Sequence, residues 1–353
     1  TDNRALVSGL TNGLRVWDLP GLPPALVSSP EDTAINATWS PDGRLIAERH
    51  QFIYDAANNY VPLSAWWPAD ATSGSGFYAT WMPDSQSFLV NHGVMEGQRT
   101  RIVEARTGQV LSTLQTPPPA DGGYFHDAIS PDGRLAASAS YPEYRLTVWD
   151  PVTGQALWRT EPLGCFAMLP RFSPDNQYVS AGCIFGPVNS PLTIWEARTG
   201  RVVKTLESAA GQIWIGAWSP DGRWLAAGGS DTSFIRLYDT QTWELKRSIA
   251  TPDAVMDLHW LPNGQRLVGM GGGDMSYVIE VADGNIVMQL ALPDIKFIGF
   301  GDISPDGQFL IAGGGIRRMW QTTDDLIAYA KQGFVLRELT GAEREQFGLP
   351  PQP

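Results

Sequence analysis

The four histidines and their acidic neighbours are the residues of this chain best suited to acid–base or metal chemistry. They are His50, His92, His126 and His259. None of them forms the His-x-x-x-His or Glu-x-x-His spacing that brings two metal ligands together on a helix. His126 lies next to Asp127, and His259 lies two residues from Asp257. Each pair could serve as a catalytic or metal pair, or join a polar network between strands in which buried groups find partners.

Other catalytic signatures in the sequence are weak. No Gly-x-Ser-x-Gly nucleophile motif occurs. The runs Gly271-Gly272-Gly273 and Gly313-Gly314-Gly315 are superficially similar to phosphate-binding loops. Each run lies between two predicted strands, however, so no helix N-terminus follows that could hold an anion. We therefore expect hairpin turns at both places, and we expect no cofactor and no bound metal.

The two cysteines, Cys165 and Cys183, lie on two predicted strands joined by the turn at Pro174. Neighbouring strands can bring two cysteines within the distance that a disulfide requires. In a reducing compartment the same residues would remain free thiols. The sequence leaves both states open.

Composition and charge restrict the classes of partner. The chain has 353 residues, of which 43% are hydrophobic and 18% are charged, so it can form a sizeable core. Its net charge of -12 disfavours binding to nucleic acid. No apolar run approaches the ~18 residues of a membrane-spanning helix. We expect a cytoplasmic location, or a periplasmic or extracellular one if a signal segment preceded Thr1 and was removed.

The elements that position these residues repeat along the chain. A turn phrase, Ser-Pro-Asp-Gly or a close variant, recurs seven times at intervals of 42 to 48 residues. Its prolines are Pro41, Pro83, Pro131, Pro174, Pro220, Pro262 and Pro305. A second phrase, such as Val148-Trp149-Asp150 or Leu237-Tyr238-Asp239, follows each turn. The runs between turns are five to seven residues long and rich in Val, Ile, Trp and Ala, which is typical of strands. Each repeat therefore predicts four short antiparallel strands, the signature of a propeller blade.

With these paired phrases, the sequence resembles the WD40-repeat family over roughly residues 4–320. The resemblance implies a β-propeller that binds proteins or peptides. The Gly-His dipeptide that this family places before the first strand of each repeat is absent from every copy. Stability must therefore come largely from apolar packing between blades.

A column of large side chains predicts where that packing occurs. Two residues before each turn proline stand Trp39, Trp81, Ile129, Phe172, Trp218, Trp260 and Ile303. Residues two and four positions further upstream share the same strand face, because side chains alternate along a strand. We expect this column to fill the wedge between neighbouring blades.

Counting strands predicts an all-β, seven-bladed propeller of four-stranded antiparallel blades over residues 25–320, with eight blades as the alternative. In the seven-bladed arrangement, strand Ala25–Ser29 closes the ring by completing the last blade. Residues 1–24 would then be a strand hairpin left from a preceding or extra blade. Residues 321–353 would form a tail with short helices at Asp324–Lys331 and Gly341–Phe347, each introduced by a capping box.

The tail also suggests a context for the chain. The stretch from Asp324 to Phe347 resembles the end of the C-terminal propeller in large multidomain bacterial signalling proteins. This resemblance implies that the propeller is the sensing or scaffolding part of a longer polypeptide. Its partner would be a protein, a peptide, or an effector domain upstream in the same polypeptide.

Two other classes share parts of the pattern. Periplasmic propellers of the Tol-associated kind also use Ser-Pro-Asp-Gly turns and would be binding proteins. The stretch from Thr153 to Trp158 resembles the blade-docking motif of quinone-cofactor alcohol dehydrogenases. Those enzymes repeat the docking tryptophan in most blades and carry adjacent cysteines, neither of which occurs here.

We therefore expect a non-catalytic scaffold that binds through one rim of the ring. The Pro-Asp-Gly turns lie on one rim. The other, which we call the variable rim, consists of the loops that lead into first strands and join second to third strands. Aromatic and acidic residues on such loops suit a binding hot spot. The candidate binding residues are Tyr124, Tyr141, Glu143, Tyr144, Phe185, Asp231, Phe234, Asp274 and Met275.

Overall fold

The computed structural model divides the chain into two compact units, Thr1–Arg317 and Arg318–Pro353; the fold below is that of the first. The residues that the structure describes are 7–10, 13–16, 37–48, 52–56, 61–65, 77–92, 101–113, 123–141, 143–184, 186–187, 189–207, 211–229, 233–271, 275–291, 301–312 and 315–319. Within these ranges the secondary structure is strand and turn, without an α-helix.

The strands form a hairpin followed by consecutive antiparallel sheets. The hairpin consists of β1 (Val7–Leu10) and β2 (Gly13–Val16). Blade 1 contains β3 (Ala37–Trp39), β4 (Leu45–Glu48), β5 (Phe52–Asp55) and β6 (Val61–Ala65). Blade 2 contains β7 (Phe77–Trp81), β8 (Ser87–His92), β9 (Arg101–Glu104) and β10 (Val110–Thr113). Blade 3 contains β11 (Gly123–Ile129), β12 (Ala136–Tyr141), β13 (Arg145–Trp149) and β14 (Ala156–Arg159).

Three further blades and a shorter sheet follow in the same order. Blade 4 contains β15 (Phe166–Phe172), β16 (Tyr178–Ile184), β17 (Leu192–Glu196) and β18 (Val202–Leu206). Blade 5 contains β19 (Ile215–Trp218), β20 (Trp224–Gly228), β21 (Phe234–Asp239) and β22 (Leu245–Ala250). Blade 6 contains β23 (Val255–Trp260), β24 (Arg266–Gly271), β25 (Met275–Glu280) and β26 (Ile286–Ala291). The last sheet has three strands, β27 (Asp302–Ile303), β28 (Phe309–Ala312) and β29 (Gly315–Arg318).

The Ser-Pro-Asp-Gly phrase forms the turn between the first two strands of a blade, as predicted. In blade 5, the Ser219 hydroxyl donates to Asp221 and accepts a hydrogen bond from the Trp224 amide at 2.8 Å. Gly222 has a φ of 70°, a conformation that favours glycine. The same arrangement of bonds occurs in the turns of blades 1, 3 and 4 and of the last sheet. The hydrogen bonds within the turn therefore come from the phrase itself and the residue that begins the next strand.

The turn of each of these blades contacts the turn of the neighbouring sheet. A Cβ atom placed on Gly133 would lie 3.4 Å from Cδ of Pro83 in the preceding blade. The corresponding distance from Gly43 in blade 1 to Pro305 in the three-stranded sheet is 3.5 Å. The first blade thus packs on the last sheet as other blades pack on their predecessors, and the sheets close into a ring.

Tryptophans fill the spaces between blades. The Trp81 indole N–H donates to the Thr38 carbonyl at 3.0 Å, and the Trp260 indole N–H donates to the Ala217 carbonyl at 2.9 Å. In both cases the acceptor is on the inner strand of the preceding blade. Most of the predicted column is buried, and Ile129 and Trp218 are partly buried. The prediction that this column forms the wedge is confirmed.

The predicted number of blades is wrong. The described residues form six four-stranded blades, not seven or eight, and the seventh repeat contributes a sheet of three strands. The hairpin was expected to belong to a preceding or extra blade. In the structure, β2 pairs in parallel with β26, with Leu14 opposite Met288, so the hairpin extends the sheet of blade 6 to six strands. That residues 1–24 are left from a preceding or extra blade stays a prediction. Counting strands missed this because pairing along the outer edge of a sheet leaves no repeat signal in the sequence.

Some predicted elements lie outside the described residues. These are the closing strand Ala25–Ser29 and the two C-terminal helices, Asp324–Lys331 and Gly341–Phe347. They remain predictions, as does the division of the chain at residues 24 and 320.

Candidate functional site

The variable rim carries those candidate binding residues that the structure describes. Phe234 begins β21 and Met275 begins β25, while Glu143 and Tyr144 form the turn between β12 and β13. Tyr124 lies in β11, and Tyr141 is the last residue of β12. Phe185, Asp231 and Asp274 lie outside the described residues.

Phe234 is the clearest candidate for an anchor on this rim. Its side chain is 43% exposed, and it is the one aromatic residue among the exposed large hydrophobic residues of the described ranges. Its backbone pairs with Ala250 at the end of β22, which holds the residue in place from that side of the sheet. A rigid exposed aromatic side chain loses little conformational entropy when a partner covers it.

Tyr144 is held more tightly than the sequence suggests. Its φ of 53° is unusual for a residue other than glycine. Its amide donates to the Ser140 carbonyl at 3.1 Å, and its carbonyl accepts from the Leu163 amide at 2.8 Å. Its partly buried side chain packs against the main hydrophobic core. Tyr144 is therefore fixed by the loop before β15 and presents only part of its ring to solvent.

The acidic and sulfur-containing candidates have partners of their own. Glu143 forms an ion pair with Arg159 of β14. Met275 is partly buried and packs against the same core as Tyr144. The described part of the rim therefore has one prominent exposed anchor surrounded by side chains with fixed positions.

A second polar group lies on the inner strands, and we call Arg171, Asp257, His259 and Asp302 the inner-strand network. Asp257 and His259 are on β23, and His259 Nε2 lies 3.1 Å from Asp257 Oδ2. This contact is close enough for an ion pair but is not aligned as a hydrogen bond. On the other side of the imidazole ring, Nδ1 lies 3.7 Å from Asp302 Oδ1 on β27. Arg171 Nη2 of β15 lies 3.9 Å from Asp257 Oδ1, so blade 4 reaches blade 6 past blade 5.

Backbone amides and one hydroxyl group donate hydrogen bonds to the two carboxylates of this network. Asp257 accepts from the Leu258 amide at 2.9 Å and from the Gly301 amide at 3.3 Å. Asp302 Oδ2 accepts from the Thr38 hydroxyl and from the Trp39 amide, both at 2.8 Å. The network therefore joins blade 6, the three-stranded sheet and blade 1.

The charges of the network shift the pKa of its members in opposite directions. Burial by itself would raise the pKa of Asp257, but His259 and Arg171 outweigh it and hold that pKa below the ordinary value. Burial by itself would lower the pKa of His259, but Asp257 and Asp302 outweigh it and raise that pKa. Each charged partner therefore favours the ionised form of the other.

The contacts of the network are ion pairs and hydrogen bonds within and between sheets. Within the part of the chain that the structure describes, no group of three or more His, Cys, Asp or Glu side chains is arranged to hold a metal ion. Asp257, His259 and Asp302 each contact another network member, as the polar-network interpretation of the His259–Asp257 pair predicts. His126 lies in β11, and the described part of the structure does not include its side chain, so its role remains a prediction.

The cysteines, whose state the sequence left open, form a disulfide. Cys165 and Cys183 are bonded, with their Cα atoms 5.7 Å apart. Cys183 lies in β16, opposite Ala167 of β15. The bond is therefore at the end of blade 4 that belongs to the variable rim.

Sequence reasoning missed an aromatic cluster around Trp243. This residue occupies the turn position that Gly154, Gly200 and Gly284 hold in other blades, and its φ is 57°. Its ring packs edge-on against Trp218 and Tyr178, with centroids 6.1 and 6.0 Å away. Aligning the repeats would have found it, because a bulky residue stands where the other blades have glycine.

These blades define the class of the protein. Consecutive four-stranded antiparallel sheets, joined through their inner strands and closed into a ring, make a β-propeller.

One family model matches part of the sequence. The family described as WD domain, G-beta repeat matches residues 200–239, from the last turn of blade 4 to the end of β21. This match and the repeated blades together support a WD40-repeat β-propeller. A comparison with curated proteins gave no match. In the described ranges, no helix has the length and apolar character needed to cross a membrane.

Proposed function

We propose that this propeller is a non-catalytic scaffold that binds a protein or a peptide through its variable rim. The observation that carries the proposal is the exposed ring of Phe234, whose backbone is paired with Ala250 of β22. Proteins with the WD40 fold typically act as scaffolds, which supports the general class of function. The acidic net charge of -12 disfavours nucleic acid as the partner.

The particular setting is also a proposal. The sequence of the tail resembles that of bacterial signalling proteins in which the propeller follows an effector module. We accordingly propose that the chain works in the cytoplasm as the sensing or scaffolding part of such a protein. Its partner would then be another protein or the effector module itself.

Replacing the exposed anchor tests the choice of rim. The Phe234→Ala protein should lose affinity for a partner recovered by pull-down, by about 2 kcal/mol or roughly thirtyfold, because central aromatic anchors carry much of the binding energy. Titration of the purified partner measures this loss. Val152→Ala is the matched control, since Val152 is an exposed apolar residue in the turn between β13 and β14, on the opposite rim.

Two outcomes would contradict the proposal. If Phe234→Ala and Val152→Ala weaken binding equally, the partner does not use the variable rim. If no partner is recovered and the purified chain turns over a substrate, the scaffold function itself is wrong.

A further inference from the structure

The disulfide lies beneath a short segment of the variable rim. Cys165 immediately precedes β15 and Cys183 lies in β16, so the bond crosses the rim end of the first hairpin of blade 4. Both residues are buried, with 3% and 7% of their surface exposed. We call residues 186–187 and 189–190, which follow β16, the rim segment.

The rim segment packs directly on one of the two cysteines. A Cβ atom on Gly186 would lie 2.5 Å from Cβ of Cys165 and 2.9 Å from the hydroxyl oxygen of Ser190. Real Cβ atoms do not approach other atoms so closely, so only glycine fits at this position. The backbone of the rim segment therefore lies directly against Cys165.

The same segment holds the chain that leads into blade 5. The Gln212 side-chain amide donates to the Gly186 carbonyl at 2.8 Å and to the Pro187 carbonyl at 3.2 Å. The Ile213 amide donates to the Ser190 carbonyl at 3.0 Å. A backbone bond from the Cys183 amide to the Ile213 carbonyl, 2.9 Å long, joins β16 to the same place.

Through these contacts, oxidation or reduction of the two sulfur atoms can affect the chain that leads into blade 5. When the bond is reduced, the two sulfur atoms must move apart from bonding distance to van der Waals contact. Because Gly186 lies directly against the Cβ atom of Cys165, a rearrangement of that side chain affects the rim segment. The segment in turn carries hydrogen bonds from Gln212 and Ile213 of blade 5.

We propose that Cys165 and Cys183 form a reversible thiol–disulfide clamp that controls how firmly the rim segment is held against blade 5. The oxidised clamp fixes the segment, and the reduced clamp loosens it. This inference concerns the local structure of the rim and does not depend on whether the rim binds a partner.

The redox chemistry balances with a small-molecule disulfide such as oxidised glutathione as the oxidant. One cysteine loses its proton, and its thiolate attacks a glutathione sulfur, forming a mixed disulfide and releasing one glutathione thiolate. The second cysteine then loses its proton and attacks the mixed disulfide at the protein sulfur. A second glutathione thiolate leaves, and the two protons from the cysteines end on the two released thiols.

Hydrogen exchange of the full chain tests the proposal without a partner. One sample is equilibrated with oxidised glutathione and another with dithiothreitol, and thiol titration verifies the state of each. Amide exchange in peptides covering residues 186–190 and 211–213 should be about tenfold or more slower in the oxidised sample, because the disulfide restricts local opening.

Two controls separate the clamp from general stability. The Val255 amide donates to the Gly229 carbonyl at the junction of blades 5 and 6, where the sequence has no cysteine, and its exchange should be the same in both samples. A Cys165→Ser/Cys183→Ser protein should show equal exchange under both conditions throughout. Equal exchange of the rim segment in oxidised and reduced wild-type protein would overturn the proposal. So would two titratable thiols remaining after treatment with oxidised glutathione, or a change at Val255 as large as that at Ile213.

Discussion

Among single residues, His259 is the one whose protonation we expect to affect the stability of the fold most directly. It lies between the carboxylates of Asp257 and Asp302, and Arg171 faces the far side of Asp257. The raised pKa of His259 means that the folded state binds a proton more tightly than the unfolded state does. The lowered pKa of Asp257 means that the folded state holds the carboxylate more readily than the unfolded state does.

The pH dependence of stability follows from these two shifts. The His259 contribution is complete below its ordinary pKa of 6.5 and is lost as pH rises through its higher folded value. The Asp257 contribution is complete above its ordinary pKa of 3.8 and is lost as pH falls through its lower folded value. The difference in free energy of unfolding between wild type and His259→Asn should therefore be larger at pH 5 than at pH 9. Urea denaturation at both pH values measures it, and equal differences would contradict this account.

Trp243 supports a second prediction about a single residue. A left-handed conformation costs about 1 kcal/mol or more for a residue with a Cβ atom, and none for glycine. The packing of its ring on Trp218 and Tyr178 offsets that cost in the wild-type protein. We expect Trp243→Gly to be more stable than Trp243→Ala by about 0.5 to 1 kcal/mol, with both less stable than wild type.

The same pair of changes at Leu245 provides the matched control. Leu245 is exposed at the start of β22, two residues along the chain, and its φ is not positive. There the order should reverse, with alanine more stable than glycine. Thermal or urea denaturation of the four proteins decides the matter, and the same order at both positions would refute the role of backbone strain.

At the scale of strands and turns, each blade depends on a side chain that reaches its neighbour. The Trp218 indole on β19 donates to the Arg171 carbonyl at 3.2 Å and to the Ser180 hydroxyl at 3.0 Å, both in blade 4. Trp214 lies just before the same strand, but its indole donates to Gln212, two residues away. The two tryptophans are both partly exposed and differ in whether their hydrogen bonds join two blades.

Truncation of these two tryptophans should therefore have unequal effects. Trp218→Ala removes the wedge between blades 4 and 5 and should cost about 3 to 5 kcal/mol of unfolding free energy. Trp214→Ala should cost less by about 1 kcal/mol or more, because its indole hydrogen bond is local. Chemical denaturation of both proteins measures the difference. Equal and small losses would show that the column is not part of the core.

For the molecule as a whole, the ring closes through contacts between the first blade and the last sheet, which are far apart in the sequence. Asp302 in the last sheet accepts hydrogen bonds from Thr38 and Trp39 in the first blade. Trp39 and Phe309 also pack together, with ring centroids 6.3 Å apart. This junction joins parts of the chain that lie more than 260 residues apart, so it forms only when the whole ring is present.

Asp302→Ala should weaken that junction in particular. The change leaves the Thr38 hydroxyl and the Trp39 amide without this carboxylate and should cost about 2 to 4 kcal/mol. Limited proteolysis should then cut first in blade 1 or in the last sheet, before blades 3 to 5. Asp283→Ala is the control, because Asp283 accepts its hydrogen bonds from Asn285 in its own exposed turn. Cleavage that is spread evenly over all blades would contradict a special role for the junction.

Much of this fold could be predicted from the sequence because its signals are local. The Ser219-Pro220-Asp221-Gly222 turn is made by hydrogen bonds spanning at most five residues, so each copy of the phrase specifies its own turn. The wedge column was found because large residues recur at a fixed distance from those turns. The candidate site was less predictable, since exposed Phe234 and half-buried Tyr144 look alike as aromatic residues on loops.

By itself, the sequence determined that this chain is an all-β repeat protein with four-stranded blades and apolar wedges, because strand length, turn chemistry and period two are properties of short segments. Only the tertiary structure decided which distant groups meet. It placed Arg171 beside Asp257, joined Asp302 to Thr38, bonded Cys165 to Cys183 and paired β2 with β26. These contacts depend on how the blades lie in space around the ring, and residues separated by 18 to more than 260 positions carry no short-range signal of it.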